Sequence, residues 1–153
     1  MTLLNGINHA AVVTHDLDRW IAFYTQVFDA EVVFHESSPE LRHAIVRVGD
    51  GVVLHPAELR GNPHAEGRPE MFARGHLDHL GLTAGSREAF LELRRRLIAA
   101  NATDGAISDL GPQWCLWFQD PDGMHAELCF IRDRTLAGYH APEIVDPDRL
   151  TTS

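Results

Sequence analysis

The chain is written twice. Asn8-His9-Ala10-Ala11-Val12-Val13-Thr14 and Asp78-His79-Leu80-Gly81-Leu82-Thr83-Ala84 share one pattern: a polar residue, a histidine, then a small and apolar run. Internal repetition signals a duplicated supersecondary unit and constrains the fold before any single segment is weighed. A helical pattern follows each run. Asp16 or Asp18 can cap a stretch bearing Trp20, Ile21, Phe23, Tyr24, Val27 and Phe28, and Ser86 can cap one bearing Phe90, Leu91, Leu93, Leu97 and Ile98. Short β-type runs come next: Glu31 to His35, Leu41 to Val48 and Val52 to His55 in the first half, then Ala106 to Ser108, Gln113 to Gln119 and Met124 to Phe130 in the second. Each half therefore spells βαβββ, which makes the chain α+β. At 153 residues it suits one domain, divided into a first module over 5–56, a linker over 57–75, a second module over 76–131 and a tail over 132–153. The linker, rich in Gly, Pro and charge, has no sustained periodicity and could also serve as a lid.

Turns set the register between the halves. Gly49-Asp50-Gly51 and Asp120-Pro121-Asp122-Gly123 each join the last two strands of a module as Asp/Gly hairpin turns. His55 stands five residues after Asp50, and Glu127 five residues after Asp122; 46 residues separate His9 from His55, and 48 separate His79 from Glu127. His55 and Glu127 are thus repeat equivalents, as are His9 and His79.

Strand alternation turns these side chains to defined faces. Ile7, His9, Ala11 and Val13 project together from the first strand, and His125, Glu127 and Cys129 from the last. An ionised carboxylate within a half-buried strand is costly unless it is paired or bound to a cation. Glu127 therefore demands a partner, either a structural ion pair with Arg132 or Arg47, or a metal. Two imidazoles and one carboxylate from separate strands can hold a divalent ion and leave coordination positions open. His76 and His125 flank these ligands as supporting contacts or as residues of the opposite face.

Charge and composition narrow the function classes. A net charge of -9 repels polyphosphate, and the basic run Arg94-Arg95-Arg96 lies in an amphipathic helix as a solvated face, so nucleic acid is disfavoured as a partner. No window approaches the ~18 continuous apolar residues of a membrane span. The opening MTLLNGINHAAVV has neither a basic leader nor a cleavage site, and a cytoplasmic location is expected. Cys115 and Cys129 are too widely spaced for a zinc ribbon and too few for a disulfide scaffold, so they are expected to be buried, reduced thiols.

NHAAVV, DHLGLTA and FQDPDGMHAEL resemble the motifs of the vicinal oxygen chelate superfamily, which includes glyoxalase I, bleomycin-resistance proteins and extradiol ring-cleaving dioxygenases. The resemblance covers roughly residues 5 to 130. It implies two βαβββ modules curved into an incomplete β-barrel, and a homodimer. It also implies a metal on His9, His79 and Glu127, with Fe(II) or Mn(II) favoured and Zn, Ni or Co compatible. The substrate would be a small molecule that chelates the metal through vicinal oxygens. Glyoxalase-like members place a Glu or Gln at the position of His55 as a fourth ligand, whereas extradiol enzymes carry an acid-base histidine nearby. His55 is thus a catalytic acid-base residue or a fourth ligand. Trp117 stands where extradiol enzymes generally have a tyrosine. The expected function is extradiol-type cleavage of a catechol-like substrate. The alternatives are a glyoxalase-like lyase or isomerase, in which Glu127 or His55 moves the proton, and a ligand-sequestering protein of the bleomycin-resistance kind, against which the metal ligands argue.

Overall fold

A computed structural model describes residues 8–65, 67 and 78–146 of the chain. Ile7, His76 and most of the second half of the sequence-defined linker lie outside the described residues. Two units, 1–68 and 69–153, each form their own contacts and are described in turn.

The first unit runs β1 (Ala10–Val13), α1 (Leu17–Phe28), β2 (Glu31–Ser37), β3 (Leu41–Val48) and β4 (Val52–Leu59). Asp16 rather than Asp18 caps α1, its carboxylate accepting from the Arg19 N–H at 3.0 Å; Asp18 instead pairs with Arg42 at 2.7 Å. The helix lays Leu17, Trp20, Tyr24 and Val27 against the alternate buried residues Ala44, Val46, Val48 and Leu54 of β3 and β4. The four-stranded sheet has the order β1-β4-β3-β2, with β1 parallel to β4 and the rest antiparallel.

β4 extends past His55, where the sequence suggested the strand's end, because Pro56 does not break it. Pro56 is buried opposite Val12. Lacking an N–H, it interrupts the ladder to β3 between the pairs His43↔Ala57 and Val46↔Leu54 without shifting the register. A single 3-10 turn, Pro63–Ala65, follows.

The second unit repeats the scheme with β5 (Leu80–Thr83), α2 (Arg87–Ala99), β6 (Ile107–Asp109), β7 (Gln113–Gln119) and β8 (His125–Ile131). Ser86 caps α2, its hydroxyl accepting from the Ala89 N–H at 3.1 Å. The buried positions Phe90 and Leu97 of α2 belong to the same core as Trp114, Leu116, Phe118, Ala126 and Leu128 of the sheet. In the hairpin between β7 and β8 the Asp120 carboxylate accepts from the N–H groups of Asp122 and Met124, and Gly123 takes φ +79°. The basic run of α2 is locally satisfied: Arg95 and Arg96 pair with Glu92, and Arg94 donates to the Gly105 carbonyl.

Part of the tail becomes structure. β9 (Glu143–Val145) pairs antiparallel with β6, giving the sheet order β5-β8-β7-β6-β9. Both sheets are open, and the chain is an α+β protein of two βαβββ modules. Among the described residues no helix is long and apolar enough to cross a membrane.

A candidate metal and proton-transfer site

The parallel pairings confirm the counted repeat. Ala11 aligns with His55 in the first sheet and Gly81 with Glu127 in the second. His9 stands two residues before Ala11, and His79 two before Gly81. Each module therefore brings a histidine at the start of its first strand to the same face as the repeat residue of its last strand, His55 in one and Glu127 in the other.

Both leading histidines are oriented by the residue immediately before them. In the first unit His9 Nδ1 lies 2.8 Å from Asn8 Oδ1; in the second His79 Nδ1 lies 3.0 Å from Asp78 Oδ2. An oxygen at Nδ1 accepts the ring proton there, which places the lone pair of each neutral ring on Nε2. This is the support that metal-ligating histidines usually receive. The polar residue before each histidine, read in the sequence as part of the repeat, acquires its reason here.

In the second unit His79 Nε2 faces Glu127 Oε2 at 4.0 Å. That is too long for a hydrogen bond but within the reach of two ligands of one ion, each bond being ~2.1 Å. Arg132, weighed as an ion-pair partner of Glu127 within this unit, pairs with Asp109 instead. Trp117, directly across the ladder from Glu127, meets the His79 ring in a T-shaped contact with centroids 4.8 Å apart and walls one side of the pair. His125 shares the Glu127 face and contacts Gln119.

In the first unit His55 belongs to a chain that sequence reasoning missed. His55 Nε2 lies 2.9 Å from His43 Nδ1, and His43 Nε2 lies 3.0 Å from Glu36 Oε2. A carboxylate only accepts, so the proton of neutral His43 sits on Nε2; His43 Nδ1 then accepts from His55 Nε2–H, and the His55 lone pair is left on Nδ1. Burial, helped by the neighbouring His43 and His9, lowers the pKa of His55 below its ordinary value. The His9 and His55 rings meet edge to face with centroids 6.0 Å apart. His43 had only strand parity to mark it, since it shares the outward face of β3 with Ile45.

The thiols are as expected. Cys115 and Cys129 are buried and unpaired by a disulfide. The Cys129 pKa is driven well above the usual thiol range, first by its hydrogen bond to Cys115, then by burial and the nearby Glu127 carboxylate. A pocket of about 570 Å³ within the first unit, lined by His15, Arg42, Glu58 and Arg60 among others, contains none of these site residues.

A model of the Glyoxalase/Bleomycin resistance protein/Dioxygenase superfamily matches residues 6–128, and the chain belongs to that superfamily. Members of this class are often metal-dependent enzymes. A glyoxylase/bleomycin resistance protein/dioxygenase domain from Frankia sp. EAN1pec is similar in structure, with 26% identity and a TM-score of 0.69 over 84% of this chain and 99% of that one. The fold is shared at lower identity by two proteins of stated activity. One is the fosfomycin resistance protein FosX from Listeria monocytogenes complexed with Mn(II) and sulfate, with 16% identity and a TM-score of 0.60 over 84% and 93% of the two chains. The other is the trypanothione-dependent glyoxalase I of Leishmania major, with 18% identity and a TM-score of 0.60 over 87% and 90%. No curated protein sequence matches the chain significantly.

Proposed function

We propose that the chain is a metal-dependent vicinal oxygen chelate enzyme in which His9, His79 and Glu127 hold Fe(II) or Mn(II) and His55 carries the proton. The observation that carries this reading is the chain His55–His43–Glu36. A ligand histidine also receives a partner on its second nitrogen, but the partner of His55 is a second imidazole bonded onward to a carboxylate, a chain that can take up and pass on the charge a base acquires. His43 and Glu36 supply that chain, which favours the acid-base role of His55 over a fourth-ligand role.

The residues fit a hard or borderline divalent ion. His9 and His79 present Nε2 with Nδ1 already engaged, and Glu127 contributes the anionic oxygen that such ions prefer. When bound, the ion would act as a Lewis acid on two neighbouring substrate oxygens and leave room for a further ligand. Glu127 would be a ligand that also biases the charge of the site. His55 Nδ1 would take a proton from the substrate and return it later. The low pKa of His55 keeps it neutral and receptive near pH 7.

Extradiol cleavage of a catechol-like substrate is the first reaction to test. Protein purified without added metal is expected to contain iron or manganese, and catechols under air are expected to consume oxygen and give coloured ring-opened products. No turnover across a broad catechol panel would sink the dioxygenase reading. A glyoxalase-like lyase or isomerase is the second reading, favoured by Trp117 at the tyrosine position of extradiol enzymes and by the shared fold of the Mn(II)-bound FosX and glyoxalase I. Turnover of a hemithioacetal without oxygen uptake would select it. Absence of any bindable metal would leave ligand sequestration. We also propose a homodimer, consistent with the exposed apolar side chains Val32, Val33 and Phe34 of β2; light scattering that gives the 17.1 kDa monomer mass would overturn that assignment.

A further inference from the structure

The second module places its two thiols and the β8 carboxylate Glu127 together by ladder geometry. Cys129 lies two residues after Glu127 on β8, so both side chains leave the same face. Cys115 is the register partner of Cys129 on β7, which puts it on that face as well. The Cys115 and Cys129 sulfurs are 3.2 Å apart, and Cys129 Sγ is 3.7 Å from Glu127 Oε2. All three donor atoms lie within 4.8 Å of one another. Gln113 closes the outer side, its amide donating to Cys115 Sγ at 3.2 Å.

We infer that Cys115, Cys129 and Glu127 form a binding site for a thiophilic divalent ion of the zinc class, built entirely within the second module and sharing only Glu127 with the His9–His79–Glu127 set. A tetrahedral zinc with bonds of ~2.3 Å to sulfur and ~2.1 Å to oxygen sets its sulfurs about 3.8 Å apart and each sulfur about 3.6 Å from the oxygen. The Cys129–Glu127 spacing of 3.7 Å already meets the second requirement for one sulfur, and Cys115 lies within 4.8 Å of the other donors. The two sulfurs need to part by only about half an ångström to meet the first. On binding, the ion replaces the two thiol protons, which pass to solvent. Three protein ligands leave one position for water or another small ligand, and the two thiolates select zinc-class ions over magnesium or manganese. The site stands whether or not the proposed catalytic metal does, but it shares Glu127 with that metal. A thiophilic ion therefore draws the carboxylate toward the sulfurs and competes with Mn(II).

The test is a Cd²⁺ titration of the reduced, chelator-treated full chain, followed by thiolate-to-cadmium charge-transfer absorption and, separately, Mn²⁺ binding by electron paramagnetic resonance. One equivalent of Cd²⁺ is expected to saturate the absorption and to release bound Mn²⁺. Cys115→Ser, Cys129→Ser and Glu127→Gln should each weaken Cd²⁺ by more than about a hundredfold, since even outer-shell partners are worth ten- to a hundredfold. Circular dichroism checks that each variant is folded, and Cys115→Ala with Cys129→Ala serves if the serine variants are not. The double cysteine variant should keep its Mn²⁺ affinity. A wild-type chain without the charge-transfer band, cysteine variants that bind Cd²⁺ as tightly as wild type, or a band untouched by Glu127→Gln would each overturn the three-ligand site. Failure of Mn²⁺ to bind at all would instead count against the catalytic-metal reading and leave the cadmium result to be judged by itself.

Discussion

His55 lies 2.9 Å from His43 across the open face of the first sheet, and His43 is tied in turn to Glu36 at 3.0 Å. The linkage matters because it gives a surface-facing carboxylate a route to the ring that is placed to accept a substrate proton. It also makes the behaviour of His55 measurable without knowing the substrate.

In the metal-free protein, His55 should titrate below the ordinary histidine value of 6.5. A lowered folded pKa means that the unfolded chain binds the proton more readily. The stability tied to this group is therefore full above about pH 6.5 and is lost as pH falls through the lowered folded value. His43→Asn removes one of the repelling charges, so the midpoint should rise while burial keeps it below the ordinary value. Histidine ring proton resonances followed against pH decide this; a wild-type midpoint at or above 6.5 would contradict it.

His55→Ala is expected to spare metal affinity and to lower turnover by about 10²- to 10⁴-fold, the usual worth of a general acid-base group. His43→Asn should give a smaller loss of kcat with little change in KM, because the base remains but its tautomer is no longer fixed. A loss of metal from His55→Ala would make His55 a ligand instead.

Glu127→Ala should abolish binding of the catalytic metal. Asp78→Asn should weaken it by about ten- to a hundredfold, since it changes the partner that orients His79 without removing a ligand. Full metal affinity in Glu127→Ala, measured by calorimetry, would remove the basis for the site.

Gly111→Ala tests how the tail is held. Gly111 adopts φ +94°, and a Cβ there would collide with the backbone carbonyl of Gly138. Arg132 bonds to the Gly111 carbonyl, and the His140 N–H donates to the Leu110 carbonyl at 3.2 Å. Both the strained dihedral and the collision oppose alanine, so the substitution should cost more than about 1 kcal/mol and should expose residues 134–146 to protease. Unchanged urea unfolding and unchanged digestion would show that the tail does not depend on this approach.

The duplication, the two helices with their serine and aspartate caps, and the strand register that equates His55 with Glu127 were all legible in the sequence. They follow from periodicity and short-range turn chemistry, which depend on nearby residues. Leu41–Val48 and Gln113–Gln119 appear with the limits the alternation predicted. Three features were decided only by tertiary structure, each because a residue's partner lies far away along the chain. Pro56 continues β4, since the parallel neighbour β1 on one side and a skipped ladder position on the other accommodate its missing N–H. The Glu143–Val145 tail becomes a strand because β6 offers it an edge. His43, unremarkable by spacing, joins the candidate site because antiparallel pairing brings β3 beside β4 and sets its ring against His55. Periodicity says which face a side chain leaves; only the folded sheet says what waits there.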